Sequence, residues 1–258
     1  MSVHATINGP ILEVVLDRPK ANAIDAATSR ELGAVFSGFR DDPSLRVAIF
    51  TGAGERFFSA GWDLKAAAAG EEYGADYGPG GFGGFTELPG LNKPIIAAVN
   101  GLAVGGGFEL AIAADLVVAA EHAEFFLSEL AVGVIPDTGT IRLSRMLPSS
   151  VVKDLILTAR RLTAHEAMAL GLVNRVAETG SPMDQARAMA EQIVVMAPLA
   201  VAAVLAIMRD TTHLSVNEAL TALREGRVPE YDRMLASDDA REGPEAFAEG
   251  RKPRWTGR

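Results

Sequence analysis

Four short apolar runs in the first 120 residues constrain the fold more than any other feature of this sequence. A helical pattern over 25–40 separates the first two runs, and Asp25 is a good N-cap for it. Runs of this length, bounded by turn residues, are typical of strands that are buried in a sheet. The runs are ILEVVLD (11–17), RVAIFTG (46–52), KPIIAAVNG (93–101) and DLVVAA (115–120). The first half of the chain therefore predicts a mixture of strands and helices.

The pattern changes to helices from about residue 140 onward. Most of these segments begin with Ser, Thr or Pro, which favour helix N-termini. They include IRLSRMLPSSVVKDLILTA, SPMDQARAMAEQIVVMA, PLAVAAVLAIMRD and SVNEALTALREG. An αβ region thus leads into a helical C-terminal third, and no convincing internal repeat is visible.

One long segment, AAAAGEEYGADYGPGGFGGFTEL (66–88), has neither a helical nor a strand period. It is rich in glycine, acidic residues and aromatics. We expect a long loop, and loops of this length are often functional.

Composition excludes several classes of function. A net charge of −9 argues against a nucleic-acid partner, which needs a clustered basic surface. Cysteine is absent, which removes disulfides and thiolate nucleophiles. The longest uncharged apolar stretch, 194–208, is interrupted by Pro198 and is shorter than the roughly 20 residues that span a bilayer. The N-terminus lacks a signal-peptide pattern, so we expect a cytoplasmic protein with no membrane partner.

Several segments match a known catalytic or cofactor-binding motif only in part or lack the structural context that the motif requires. GPGGFG (78–83) matches G-x-G-x-x-G, but no strand precedes it. HEAMA (165–169) lacks the second histidine of a zinc-protease helix, and FFSAG is not a serine nucleophile elbow. The four histidines are scattered, and no metal site is expected.

Two glycine-rich junctions carry the candidate chemistry, IFTGAGERFFSAGWDL (49–64) and IAAVNGLAVGGGFELAIAAD (96–115). Small residues at such turns let a ligand approach free backbone N–H groups, and two converging N–H groups form an oxyanion hole. Glu109 and Glu129 lie in otherwise apolar segments nearby. Either could be a helix N-terminal acid favoured by the helix dipole. As a partly buried pair they could instead divide the roles of acid and base.

The run KPIIAAVNGLAVGGGFELAIAADLVVAAEHAEFFLSELAVGVIPDTG closely resembles the enoyl-CoA hydratase/isomerase (crotonase) superfamily, and the resemblance covers essentially the whole chain. It implies an α/β fold, a crotonase-like spiral of ββα units over 1–195. A helical region over 196–258 would make trimers, often paired into hexamers. The substrate would be an acyl-CoA, and CoA would be part of the substrate rather than a cofactor.

The resemblance also implies roles for individual residues. Backbone N–H groups of Ala60 and Gly106 would form the oxyanion hole. Glu109 would exchange a proton with water and Glu129 with the substrate α-carbon. Positions that line CoA in relatives match Lys20, Ala21, Asp63 and Leu64, for which surface charge and turn packing remain alternatives.

The sequence departs from the family pattern at three places. Ser128 stands where relatives carry a proline, and PDTGTIRL is one residue shorter than the usual turn after Asp137. Near the C-terminus, Gly250 replaces a lysine that reaches CoA phosphates across subunits. Arg251 or Lys252 could substitute for it.

Two segments, FFSAGWDLKAAAAG (57–70) and GPGGFGG (78–84), more particularly resemble those members of the superfamily that act on an acyl-CoA with a trimethylammonium group. Such a group has no N–H and needs aromatic faces or carboxylates. The candidate pocket comprises Trp62, Phe82, Phe85 and Asp137, and Tyr73 and Tyr77 belong to the same loop. The alternatives are a neutral short-chain enoyl-CoA, an inactive or RNA-binding superfamily member, or isomerase or dehalogenase chemistry at Asp137.

Overall fold

The computed structural model describes residues 2–258. Ten strands and eleven α-helices are described, together with 3-10 helices at Phe82–Gly84 and Glu129–Val132. The strands are β1 Val3–Asn8, β2 Ile11–Leu16, β3 Val47–Gly52, β4 Phe57–Ser59, β5 Ile95–Val99, β6 Leu102–Val104, β7 Leu116–Ala120, β8 Glu124–Phe126, β9 Leu162–Thr163 and β10 Arg175–Ala177. The helices are α1 Ala26–Asp41, α2 Leu64–Ala68, α3 Gly106–Ala113, α4 Asp137–Met146, α5 Ser149–Thr158, α6 Ala164–Ala169, α7 Pro182–Val194, α8 Pro198–Thr211, α9 Val216–Arg224, α10 Pro229–Leu235 and α11 Asp238–Ala248.

The chain separates into two compact units, one of residues 1–91 and 95–190 and one of residues 92–94 and 191–258. The first unit contains both sheets and α1 to α6. The second consists mainly of α8 to α11. The assignment of residues 196–258 to oligomerisation stays a prediction.

Two sheets organise the first unit. The larger has the strand order β1-β2-β3-β5-β7-β10, and its strands are parallel except for the β1–β2 hairpin. The smaller has the order β4-β6-β8-β9, with β9 antiparallel to β8. From β3 to β8 successive strands alternate between the sheets, so β3–β4, β5–β6 and β7–β8 are three repeats, each followed by a helix. This is the spiral of ββα units that the family resemblance implied, although the periodicity of the sequence alone did not reveal the repeat.

The predicted strands and the first helix lie where the sequence placed them. All six residues of β3 are buried, as expected for a strand covered on both faces. The Asp25 side chain accepts a hydrogen bond from the Thr28 N–H at 2.7 Å, which satisfies one of the free N–H groups at the start of α1. The segment 141–159 contains the end of α4 and all of α5 rather than one continuous helix. Pro148 cannot continue α4, which ends at Met146, and it immediately precedes α5.

Side-chain hydrogen bonds and ion pairs stabilise the second unit internally. Asp239 accepts hydrogen bonds from the N–H groups of Thr256 and Gly257, at 2.7 and 2.9 Å. The Trp255 indole N–H donates to the Val195 carbonyl at 2.8 Å. These contacts hold the last residues of the chain against α11 and the start of the unit.

No single helix within residues 2–258 is long and apolar enough to cross a membrane, although α7 and α8, which meet at a sharp bend, pass that length and composition test as a pair.

Candidate active site

Glu109 lies in the first turn of α3, two residues after the triple glycine. Its side chain is buried, and only 6% of the residue is exposed. Its Oε1 accepts a hydrogen bond of 2.6 Å from the backbone N–H of Gly139 in α4. Burial, reinforced by the negative charges of Glu129 and Asp137, raises the pKa of Glu109 to about 7, against the opposing effects of the Gly139 N–H and Arg142. A carboxyl with this pKa can both accept and donate a proton near neutral pH.

Glu129 begins the 3-10 helix after β8 and is 9% exposed. One carboxylate oxygen packs against Gly105, where an added Cβ would lie only 2.7 Å from Oε1. The other, Oε2, is buried and has no hydrogen-bond partner among the described residues 2–258. Burial, with a further contribution from Asp137, raises the pKa of Glu129. An unpartnered buried carboxylate oxygen is uncommon and indicates a group that meets a ligand.

A cavity of about 280 Å³ brings the two glutamates together. Its lining combines glycines, acidic groups and aromatic rings. The side chains and backbone that line it include Ala60, Trp62, Leu64, Tyr73, Tyr77, Phe82, Glu87, Gly105, Gly106, Glu109, Ser128, Glu129, Val132, Val134, Asp137 and Thr138. The candidate residues from both glycine-rich junctions therefore reach one cavity, as the sequence predicted.

The assignment of Ala60 to the oxyanion hole needs correction. Ala60 lines the cavity, but its N–H donates to the Ala21 carbonyl at 2.9 Å and is not free for a substrate oxygen. Trp62, two residues later, forms a parallel bridge with Ile24. Ile24 bonds to the residues on either side of Trp62, through Ile24 N–H to Gly61 O and Asp63 N–H to Ile24 O. The N–H of Trp62 therefore points to the opposite side of the strand.

That opposite side is where Gly106 lies. A Cβ added to Gly61 would be 2.5 Å from the Gly106 nitrogen, so the two glycine-rich turns touch. Gly106 is the first residue of α3, and the hydrogen bonds of this turn begin with Phe108 and Glu109, both of which donate to the Gly105 carbonyl. The Gly106 N–H therefore has no acceptor within the helix. The main chain of Trp62 was not among the residues predicted from the sequence, although its position directly after Gly61 was a usable signal.

The aromatic residues of the long loop form two edge-to-face pairs. The rings of Trp62 and Tyr73 are 5.2 Å apart, and those of Tyr77 and Phe82 are 5.5 Å apart. Glu71 accepts a hydrogen bond from the Trp62 indole N–H at 3.2 Å and another from the Ala26 N–H at 3.0 Å. Both oxygens of Glu71 thus serve to orient Trp62 and to attach the loop to α1.

The prediction that Phe85 lines the pocket is wrong. Phe85 is 5% exposed and belongs to the hydrophobic core, where its ring lies 4.8 Å from Phe36 and 5.7 Å from Phe50. The loop enters the core after the 3-10 helix at Phe82–Gly84. Phe82, by contrast, lines the cavity, and its ring covers Gly106 so closely that a Cβ there would lie 2.5 Å from it.

Of the four residues predicted to line CoA, only Leu64 is among the described residues that line the cavity. Lys20 is exposed. Asp63 caps α2 and pairs with Arg18 at 2.7 Å, so its carboxylate stabilises the turn. Leu64 is 52% exposed and lines the cavity, while Ala21 uses its carbonyl to bind Ala60. Their contact with CoA stays a prediction.

Arg251, one candidate replacement for the missing lysine at Gly250, already forms ion pairs with Glu242 at 2.6 Å and Glu249 at 2.5 Å. Its guanidinium is therefore engaged within the second unit, whereas Lys252 is exposed. Within residues 2–258 no group of three or more His, Asp or Glu side chains is arranged to hold a metal ion.

Comparisons with known proteins identify the family. The family described as Enoyl-CoA hydratase/isomerase matches residues 6–258. The chain belongs to the enoyl-CoA hydratase/isomerase family. Among curated relatives of this family, the carnitinyl-CoA dehydratase of Salmonella arizonae is 58% identical over 257 residues, which are 99% of this chain and 98% of the relative. The carnitinyl-CoA dehydratase of Proteus mirabilis is 57% identical over 258 residues, or 100% of this chain and 99% of the relative.

Solved structures of the family have the same fold. The enoyl-CoA hydratase of Mycobacterium tuberculosis superposes with a TM-score of 0.90 at 42% identity and covers 100% of this chain and 99% of its own. The enoyl-CoA hydratase of Bacillus anthracis gives a TM-score of 0.91 at 32% identity, with 100% of both chains covered. The predicted family, the mixed α/β fold class and an enzyme of the hydratase type are confirmed.

Proposed function

We propose that this protein is a hydro-lyase that interconverts carnitinyl-CoA with crotonobetainyl-CoA and water. The observation that carries the proposal is one cavity that holds two buried glutamates of raised pKa together with four aromatic side chains. The curated relatives named carnitinyl-CoA dehydratase, at 57–58% identity over nearly the whole chain, support this choice of acyl group.

In the proposed dehydration, the two glutamates divide the proton transfers. Glu129 takes the α-proton of carnitinyl-CoA, and the electron pair forms the α,β double bond as the hydroxyl leaves the β-carbon. Glu109 gives its proton to that hydroxyl, which leaves as water. Hydration is the reverse, with Glu109 ionised and Glu129 protonated at the start. Raised pKa values suit both directions, because each group must change protonation state near neutral pH.

The negative charge that develops on the thioester oxygen needs donors that are already in place. We assign this role to the backbone N–H groups of Gly106 and Trp62. Their location on touching turns, with Ala60 N–H engaged elsewhere, supports the assignment. Loss of one such donor typically lowers the rate by about 100- to 1,000-fold.

The aromatic rings supply the chemistry that a trimethylammonium group requires. Trp62, Tyr73, Tyr77 and Phe82 all line the cavity. Each cation–π contact is worth about 0.5–2 kcal/mol, depending on how well water is excluded. Replacement of Trp62 by Ala should weaken turnover of the ammonium substrate more than turnover of crotonyl-CoA. Equal losses on both substrates would remove Trp62 from the ammonium site.

A neutral short-chain enoyl-CoA is the second candidate substrate. The similarity to solved enoyl-CoA hydratases at 41–42% identity favours it, because those proteins share the whole fold. The two candidates use the same glutamates and the same proton transfers. They differ in what the aromatic end of the cavity recognises.

The remaining assignments are also proposals. CoA would be bound along Lys20, Ala21, Asp63 and Leu64, and no cofactor beyond the CoA of the substrate would be needed. A homo-oligomer, a trimer or a pair of trimers, would cover exposed apolar side chains such as Leu235 and Phe247, of which the latter is 89% exposed. A cytoplasmic location belongs to the same set of proposals.

Hydration of crotonobetainyl-CoA and of crotonyl-CoA, followed side by side through loss of the enoyl-thioester absorbance, tests the substrate. We expect a strong preference for the ammonium substrate. Comparable rates would assign the protein to the neutral enoyl-CoA hydratases. The variants Glu109→Gln and Glu129→Gln should each lose hydration by orders of magnitude and keep the fold, and a near-normal rate would remove that residue from the mechanism.

A further inference from the structure

Asp137 lies where two cavities meet. It is the first residue of α4 and lines the cavity that holds the glutamates. It also lines an adjoining cavity of about 510 Å³, which shares Glu87, Asp137 and Thr138 with the first. Asp137 therefore lies at the border between the two cavities and lines the one that holds the glutamates.

The carboxylate of Asp137 is only partly used by the protein. Its Oδ1 accepts hydrogen bonds from the N–H and the hydroxyl of Thr138, at 2.7 and 3.4 Å. Among residues 2–258, no basic side chain forms a salt bridge with it. Glu71, the acidic loop residue nearest to Trp62, has both oxygens bound to N–H donors, and Asp63 is paired with Arg18. Asp137 is thus a carboxylate of the cavity with capacity left for a cation.

The aromatic rings of the cavity are close to Asp137. The Tyr73 hydroxyl donates to the carbonyl of Ile135, two residues before Asp137, at 2.6 Å. After burial, the charge of Asp137 is the next cause that raises the pKa of Tyr73, and it also contributes to the pKa of Tyr77, which burial raises to about 12. Asp137 likewise contributes to the raised pKa of both glutamates. Its negative charge therefore acts on both tyrosines and on both glutamates that line the cavity.

We propose that Asp137 is the counter-ion of the quaternary ammonium group of the substrate and determines specificity for a cationic over a neutral acyl group. This inference rests on the proposed function and names the residue that supplies its charge recognition. A quaternary ammonium cannot donate a hydrogen bond, so an anion recognises it through charge alone, while the rings of Tyr73 and Trp62 exclude water around the pair.

The test separates charge from shape. Crotonobetainyl-CoA is compared with its neutral isostere 5,5-dimethylhex-2-enoyl-CoA, in which a carbon replaces the nitrogen. Because Asp137 is exposed in the free protein, we expect kcat/KM of Asp137→Asn on the cationic substrate to fall by about 3- to 10-fold, mainly through KM, as for loss of a solvated charge pair. The value of kcat/KM on the neutral isostere, measured above the acid limb of the pH profile, should change little. Asparagine keeps an oxygen that can accept the Thr138 N–H.

Binding of the saturated thioesters 4-(trimethylammonio)butanoyl-CoA and 5,5-dimethylhexanoyl-CoA gives a readout that does not depend on catalysis. The ratio of their Kd values should fall by the same factor in Asp137→Asn and be partly kept in Asp137→Glu, which retains the charge. Glu72→Gln is the matched control, because it removes an equal charge from an exposed position of the loop outside the cavity. It should leave the ratio unchanged.

Each outcome decides between the proposals. If the wild-type protein prefers the cationic thioester and Asp137→Asn keeps that preference, the counter-ion assignment is refuted and the proposed substrate stands. If the wild-type protein does not distinguish the two thioesters, the ammonium substrate itself is refuted, and the counter-ion falls with it. If Asp137→Asn does not fold, Asp137→Ser, which also offers Thr138 an acceptor, is measured in the same way, with the same two outcomes.

Discussion

Replacement of Glu109 by Gln should stabilise the protein at alkaline pH while it abolishes hydration. The fold raises the pKa of Glu109 from 4.5 to about 7, mainly through burial. At about 1.4 kcal/mol per pKa unit, the ionised form is disfavoured in the folded protein by about 3 kcal/mol. Gln is neutral at every pH and keeps an oxygen that can accept the 2.6 Å hydrogen bond from Gly139.

The sign of the pH dependence follows from the direction of the pKa change. Because the folded-state pKa is the higher one, the favourable contribution of Glu109 is fully present below the unfolded-state pKa and is lost as the pH rises through about 7. The stability of the Gln variant relative to the wild type should therefore increase by about 2 kcal/mol between about pH 5.5 and about pH 8.5.

Urea unfolding of both proteins at the two pH values, at one fixed protein concentration, measures this difference. Glu121→Gln, at an exposed position, is the control and should show no comparable change with pH. A stability difference between Glu109→Gln and wild type that stays constant with pH would refute the reasoning, since it would mean that burial does not hold Glu109 in its protonated form.

Three further predictions follow from the same geometry. In Gly139→Ala the new Cβ would lie 3.1 Å from Oε1 of Glu109. Displacement of that carboxylate should lower kcat about tenfold or more in a steady-state assay. The control is Gly38→Ala in α1, where the new Cβ meets no atom within 4 Å, and it should keep full activity. Asp137→Asn removes a charge that raises the pKa of Glu109, so the acid limb of the pH profile of kcat/KM should move to lower pH, and an unmoved limb would contradict the electrostatic coupling. Phe85→Ala should destabilise the fold by about 3–5 kcal/mol in urea unfolding, with an unchanged ratio of activity on cationic and neutral thioesters, because the ring packs in the core.

The elements that the sequence predicted well are those with long, clear patterns. The runs at 11–17, 46–52, 93–101 and 115–120 contain the strands β2, β3, β5 and β7, since short apolar segments between turns have few alternative structures. The smaller sheet was not predicted. Its strands β4, β6 and β8 have three residues each, which is too short for any periodicity to be recognised. For the same reason the ββα repeat was expected from the family resemblance and not from the pattern of apolar runs.

The candidate site was predictable at the level of side chains and less so at the level of the backbone. The two glutamates in apolar segments do reach one cavity. The direction of a backbone N–H depends on local dihedral angles, and the positive φ of Gly61 decides that Ala60 bonds inward while Trp62 N–H points to Gly106. Phe85 was misplaced because residue type alone does not show where a loop turns back into the core.

The three ββα turns divide the work of the site. The turn that contains β3 and β4 leads into the loop with Trp62 and its aromatic neighbours, the next supplies Glu109 through α3, and the third supplies Glu129 after β8. The aromatic side of the cavity and the acid–base pair are therefore encoded in separate stretches of sequence, while Asp137, the proposed counter-ion, follows Glu129 in the third. A descendant could exchange the loop and acquire a new substrate while its acid–base pair stays where it is, which gives this architecture a simple route to functional divergence.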